Sequence, residues 1–391
     1  MLKGYRLWQK MGLNEVADKV MTNFQGLYDI YFFLIVLSKG MGFESDNIWY
    51  KVSFAIGTVL ICLKLYNETY KKRELMSMCI LIAIGLMDVA FGGYAAILFT
   101  AVGIIGLKGV NTNRVIKIAF WTKTVTFIYK FIMSMIRRGP EDVLVFLRDG
   151  KEINRLTFGY QHPNMAHENF TVIIMLFLYL YHDKLRKWHY VVLMLLEYAL
   201  YKCTFSRTGI AVGILCISIS ILIRNRKLRK VIMKGTRHIY VLLIGCSIAC
   251  PMLYGKFSVI NLLDERLTGR IRAITALFET ALPGAVGNAR LAEQTNFDNG
   301  YITLLYLGGI LAFGWFMYYL MRAYNKAFVE NDYLKYALML EFAIYYITEA
   351  FFCNIALNMA LLFIGDVLFE KEPCCLCTKE EYHGEDCSIN I

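Results

Sequence analysis

Residues 74–109 read ELMSMCILIAIGLMDVAFGGYAAILFTAVGIIGLKG. Two apolar runs, about 74–91 and 93–109, are divided only by Phe91-Gly92-Gly93. A helix that crosses the hydrocarbon core needs about 20 mostly apolar residues, so the stretch reads as two spans joined by a tight turn. Ten further runs centre near 24–43, 50–66, 114–136, 168–182, 187–204, 207–223, 237–256, 299–321, 333–350 and 352–369. Composition agrees: 57% of the 391 residues are hydrophobic and 19% charged, against roughly 45–50% and about 25% in soluble domains. The sequence predicts an all-α polytopic membrane protein with about twelve transmembrane helices over residues 24–369. It excludes a soluble enzyme on one anchor and a disordered chain.

Sidedness follows from the basic residues, which gather in cytoplasmic loops. Alternate loops carry Lys71, Lys72 and Arg73, then Lys108, Arg114 and Lys117, then Lys184, Arg186 and Lys187. Arg224, Arg226, Lys227, Arg229, Lys230, Lys234 and Arg237 come next in phase, followed by Arg322 and Lys326. Short loops of the opposite phase hold none, so both termini are expected in the cytoplasm. The net charge of +11 is read as loop charge and not as a nucleic-acid footprint. Residues 1–23 set Tyr5, Trp8, Leu13, Val16 and Val20 at helical spacing among Lys3, Arg6, Lys10 and Lys19, which predicts a cytoplasmic interfacial helix and no cleaved signal peptide.

Two long connections, about 137–167 and 257–298, fall outside and break the charge rule. The first holds Arg137, Arg138, Arg148, Lys151 and Arg155; the second holds Arg266, Arg270, Arg272 and Arg290. Long loops are translocated despite their charge. Arginines gathered there suit an anionic ligand, most simply a diphosphate. A solvated loop of mixed charge is the competing reading, since Asp142, Asp149, Glu152, Asp264 and Glu265 lie close by.

Four short motifs stand on this outer side. Phe158-Gly159-Tyr160-Gln161-His162-Pro163-Asn164 leads into the sixth span, with Pro163 and Asn164 suited to a turn before a helix and His162 able to take a proton near neutrality. Ser206-Arg207-Thr208-Gly209 opens the eighth; Ser206 is a cap candidate, and Arg207 either meets a ligand or snorkels to lipid phosphates. Leu267-Thr268-Gly269-Arg270-Ile271-Arg272 starts an amphipathic stretch. Asp298-Asn299-Gly300-Tyr301 precedes the tenth span, where Asp298 and Asn299 can cap the helix.

In this order the motifs resemble the bacterial O-antigen and capsular polysaccharide polymerase (Wzy-type) and O-antigen ligase superfamily. The resemblance covers about 158–310, with Leu304, Leu305 and Gly308-Gly309 following the last motif. It implies a GT-C-like membrane enzyme of the bacterial plasma membrane. Its expected reaction joins oligosaccharide repeat units carried on undecaprenyl diphosphate, at the outer face, by inverting transfer without a metal or other cofactor. A flippase and a chain-length regulator are the implied partners. The ligase pattern has a histidine beside the Asn, where this chain has Asp298-Asn299, and that favours a polymerase. An O-antigen-type ligase and a multi-span transporter or flippase of lipid-linked oligosaccharide are the alternatives.

The chemistry asks for a base and for cations at the leaving group. Asp298, His162 and His167 are candidates for the first; Arg207, Arg270 and Arg272 are candidates for the second. Ser206, Asn164, Asn299, Tyr301 and Arg290 stand nearby in sequence. Lys123, Lys130, Asp88, Glu197, Glu341 and Glu349 lie within apolar runs, where ions usually pair or line a cavity; structural Lys–Glu pairs are the first expectation, a polar path for the lipid diphosphate the second and a transporter's proton relay the third. The tail, 370–391, carries Cys374-Cys375-Leu376-Cys377, His383 and Cys387 without paired C-x-x-C knuckles, and no metal is assigned to it.

Overall fold

A computed structural model describes residues 14–44, 47–137, 139, 142–148, 151–291 and 298–370, with side chains from residue 25 onward except those of Arg148 and Lys151. The Cys-rich tail and residues 1–13 of the expected interfacial helix lie outside the described residues. The chain is mostly helical. Helix α1 (Asn14–Gly40) runs through the expected boundary at residue 23 without a break. It packs on α2 (Ile48–Tyr66), which Asn47 caps by accepting from Trp49 N, and the Ser38 hydroxyl donates to Ser53 Oγ at 2.9 Å.

Helices α2 and α3 (Lys72–Met87, extended by a π turn over Asp88–Gly92) are long and apolar enough to cross a membrane. A third such unit is the pair α9 (Arg226–Gly235) and α10 (Ile239–Leu253), bent by 48°. Helix α5 (Thr112–Arg137), α6 (Pro163–Tyr181), α7 (Lys187–Thr204) and α8 (Arg207–Ile223) fall on expected runs.

Among the described residues only α2 and α3, or three units with the bent pair, are long and apolar enough to cross, against the twelve expected, and three of the expected spans are not single long helices at all. Helix α4 (Ala96–Ile105) has 10 residues, about 15 Å of rise, half of the roughly 30 Å core. The run at 352–369 is a chain of turns, a 3-10 stretch (Met359–Ile364) and a single helical turn. These two pieces lie side by side: Thr100 Oγ1 donates to the Cys353 carbonyl at 2.8 Å, and Leu107 packs on Gly365. Protein covers both, so their apolarity reflects burial and not contact with lipid. Asn358 holds the irregular backbone, its Nδ2 donating to the Phe352 carbonyl at 2.8 Å.

The tenth span, 299–321, is broken into α13 (Gly300–Leu307) and α14 (Gly309–Val329) at Gly309, whose φ of +77° no side chain adopts easily. The break frees backbone donors, and the second long connection accepts them: Ile310 N donates to Gly284 O at 2.9 Å and Leu311 N to Ala285 O at 3.2 Å. Gly287 N in turn donates to buried Asp88 Oδ1 at 2.9 Å. Irregular backbone at membrane depth is tolerated where protein satisfies it. Helix α15 (Tyr333–Tyr345) completes the bundle.

Both long connections carry secondary structure of their own among the described residues. The first contains an antiparallel hairpin, β1 (Val143–Arg148) and β2 (Lys151–Leu156), in register Leu144↔Arg155; the all-α expectation needs this addition. The second contains α11 (Ser258–Arg266) and α12 (Arg270–Thr280), with Leu277 and Ile274 packed on Ile302 and Tyr306 of α13.

Candidate active site

One side chain, that of Arg155, ties the hairpin to two helices. Arg155 Nε donates to the Thr204 carbonyl at the end of α7, and its Nη2 donates to Asn164 Oδ1 at the start of α6, both at 2.6 Å. A cation at a helix C-terminus is also favoured by the helix dipole. The same guanidinium covers Phe146, 4.7 Å from the ring centroid, and Phe146 meets the His162 ring edge-on at 5.7 Å.

His162 is the N-cap of α6: its Nδ1 accepts from Asn164 N at 3.1 Å. Burial and then the Arg155 charge hold the imidazole below the usual histidine range, against the opposing pull of Asp298. The neutral ring therefore carries its proton on Nε2, and its one free lone pair is spent on the cap. That geometry makes His162 a poor base.

Helix α12 begins at Arg270, and Arg270 draws three distant segments together. Its Nε lies 3.2 Å from Asp298 Oδ2, an ion pair without the alignment of a hydrogen bond. Its Nη2 lies 3.6 Å from Glu349 Oε1, and Nη1 donates to the Thr348 carbonyl. Thr208, next to Arg207, donates from its hydroxyl to Glu349 Oε1 at 3.1 Å. Asn299, not Asp298, caps α13, accepting from Tyr301 N and Ile302 N. Asp298 is thereby released from a capping role and stays 42% exposed.

Asp298 and Glu349 line a cavity of about 560 Å³. Tyr31, Tyr50, Tyr94 and Phe351 supply aromatic walls, and Glu44 and Glu168 add carboxylates. Lys39 Nζ is engaged by Glu44 at 2.6 Å. The Tyr31 hydroxyl and Glu168 Oε1 are buried without a hydrogen-bond partner among the described residues. Ring faces beside hydrogen-bond acceptors suit the C–H faces and hydroxyls of a sugar.

The remaining candidates separate cleanly. Arg207 and Arg272 are exposed, and neither forms an ion pair among the described residues, so both are available to an anion. Arg290 is exposed on the loop that holds the α13–α14 break, its backbone N donating to Asn288 Oδ1. Ser206 caps α8, accepting from Gly209 N at 3.4 Å, and Tyr301 is buried, donating to the Ala343 carbonyl at 2.8 Å.

His167 is fully buried. Thr204 donates its hydroxyl to the Leu200 carbonyl at 3.0 Å, so His167 Nδ1 donates to Thr204 Oγ1 at 2.9 Å. The other nitrogen shares one proton with Glu197 Oε2, also at 2.9 Å. No ring atom remains for a substrate. Gly213 faces this pair so closely that a Cβ there would collide with the Glu197 carboxylate. The expected Lys–Glu pairs do not form at Lys123 and Lys130: Lys123 donates to Asn169 Oδ1 at 3.1 Å, and Lys130 to the Met41 carbonyl at 2.8 Å.

Glu349 is the site residue that sequence reasoning placed elsewhere, as a charge within a span. In the sequence alone Arg155 is one loop charge among several. The hairpin had a local signal, alternating Leu144 and Phe146 before Asp149-Gly150. No family model, no curated protein and no solved structure matches this chain.

Proposed function

We propose that the chain is a polysaccharide polymerase that joins undecaprenyl-diphosphate-linked oligosaccharide repeat units at the outer face of a bacterial plasma membrane. In this reading the twelve-crossing topology counts α4 and the 352–369 segment as paired half-regular crossings, with both termini cytoplasmic. The observation that carries the proposal is the meeting of Asp298, Arg270 and Glu349 at the mouth of a cavity walled by aromatics and carboxylates. A ligase would use the same geometry with a different acceptor.

The reaction follows from the roles available. An acceptor hydroxyl gives its proton to Asp298, and its oxygen forms a bond to the anomeric carbon of the donor. The anomeric C–O bond breaks on the opposite face, and its electron pair leaves with the diphosphate. Such a single displacement inverts the centre and needs one base and no enzyme nucleophile. Arg207 and Arg272 hold the negative charge that builds on the diphosphate, while Arg270 positions Asp298 and Glu349. The test is a proteoliposome assay with purified undecaprenyl-diphosphate-linked repeat units. Ladders of polymer from the native chain and none from Asp298→Asn are expected; ladders of equal yield from both would overturn the assignment.

A further inference from the structure

A second groove lies between α7 and α8, at the end of these helices away from Asp298. It encloses about 720 Å³. Val191, Leu195 and Ile221 line it and expose 58%, 62% and 43% of their surface. Arg186, Lys187 and Arg224 form its rim. None of these three cations forms an ion pair among the described residues. Arg224 Nη1 donates to the Leu185 carbonyl at 2.7 Å and to the His182 carbonyl at 3.4 Å, which fixes its side chain at the end of α6. The N-terminus of α7, with its outward N–H groups, opens on the same rim.

The surroundings repeat the pattern. Helix α9 leaves the rim with Arg226, Lys227 and Lys230 and no acidic residue. Trp188, 58% exposed, stands beside the rim where interfacial aromatics anchor a membrane protein. An apolar trough under a cluster of unpaired cations matches a molecule with a hydrocarbon chain and an anionic head. A zwitterionic headgroup would carry its ammonium against the same cations, which opposes it.

We propose that this groove binds an anionic glycerophospholipid of the adjacent leaflet, the acyl chain along Val191, Leu195 and Ile221 and the phosphate on Arg186, Lys187 and Arg224. The inference rests on the membrane reading and not on glycosyl transfer.

Native mass spectrometry of the detergent-purified chain, titrated with phosphatidylglycerol and with phosphatidylcholine of equal acyl length, tests it. Phosphatidylglycerol should bind preferentially. Arg186→Gln with Lys187→Gln should cut that preference roughly thirtyfold at low salt, from about 1 kcal/mol per basic residue. Leu195→Trp, which fills the trough and keeps the rim, should weaken both lipids. Equal binding of the two lipids by the native chain would overturn the proposal, as would a preference that survives the double substitution. Should the double variant not fold, the native comparison and Leu195→Trp decide alone. Recovery of the chain in the soluble fraction of a detergent-free lysate would instead remove the membrane premise, a separate outcome.

Discussion

Asp298 stands 3.2 Å from Arg270, its carboxylate facing the guanidinium that opens α12. The same guanidinium reaches Glu349 at 3.6 Å, so one cation keeps two carboxylates close without mutual repulsion. Removing the proposed base and removing its holder should therefore differ. Asp298→Asn should lower turnover by about 10²–10⁴, the usual contribution of a general base, with normal membrane abundance. Arg270→Met should lower both activity and thermal stability, because it leaves Glu349 facing Asp298 without a counter-ion. Turnover and melting temperature together separate the two roles.

His162 offers a pH test. Its imidazole is held below the ordinary histidine value of about 6.5, so the unfolded chain takes up a proton before the folded one does. Stability from this group is complete above the ordinary value and is lost as pH falls toward the lowered one. The melting temperature should drop across that window, and His162→Asn, which keeps a capping acceptor, should show a smaller drop. Activity at neutral pH should survive His162→Asn. Loss of polymer in that variant with intact folding would return the role of base to the histidine.

The His167–Glu197 pair is closed to solvent and makes a different prediction. His167→Leu strands a buried carboxylate and should cost about 3–5 kcal/mol. Replacing both, His167→Leu with Glu197→Leu, should recover much of that loss, since a buried pair exchanged for apolar side chains is often near neutral. Denaturation of His167→Leu, Glu197→Leu and the double variant in detergent measures the coupling. Additive losses would mean that the two residues do not act as a pair.

Much of this architecture can be read locally. Ser206, Pro163 and Asn299 sit where caps and helix starts put them, and Gly308-Gly309 marks the break in the tenth span. The irregular segment at 352–369 could not be read so, because apolar composition reports removal from water and is the same beside lipid or inside protein. Asn354 and Asn358, whose side chains bond to backbone, were the local sign that a helix would not persist there. The site itself splits the same way. Arg270 and Asp298 stand in recognisable outer motifs, while Glu349 joins them only through the packing of α8 and α15, which no local pattern encodes.

The loop geometry yields a topology prediction. Leu282, 88% exposed, lies in the second long connection, and Tyr66, 89% exposed, ends α2. In the proposed orientation Leu282→Cys should react with an impermeant thiol reagent in intact cells, and Tyr66→Cys only after lysis. The reverse pattern would place the Asp298 site in the cytoplasm and remove the lipid-linked donor.

Arg207 carries the sharpest test of the leaving-group assignment. It begins α8, directly before Thr208, whose hydroxyl reaches Glu349, so its backbone is tied to the Asp298 cluster while its side chain is exposed. A guanidinium bridges two diphosphate oxygens in plane, and an ammonium supplies only a point charge. Losing such a contact costs about 2.7–4 kcal/mol, or roughly 10²–10³ in rate. Arg207→Lys should therefore cut polymer formation by that factor, with unchanged melting temperature, because the native side chain forms no ion pair among the described residues that the substitution could break. An arginine that merely snorkels to headgroups would be replaced by lysine without loss. Full activity in Arg207→Lys would shift the diphosphate to Arg272, another exposed arginine without an ion pair among the described residues, and Arg272→Lys in the same assay would then carry the loss.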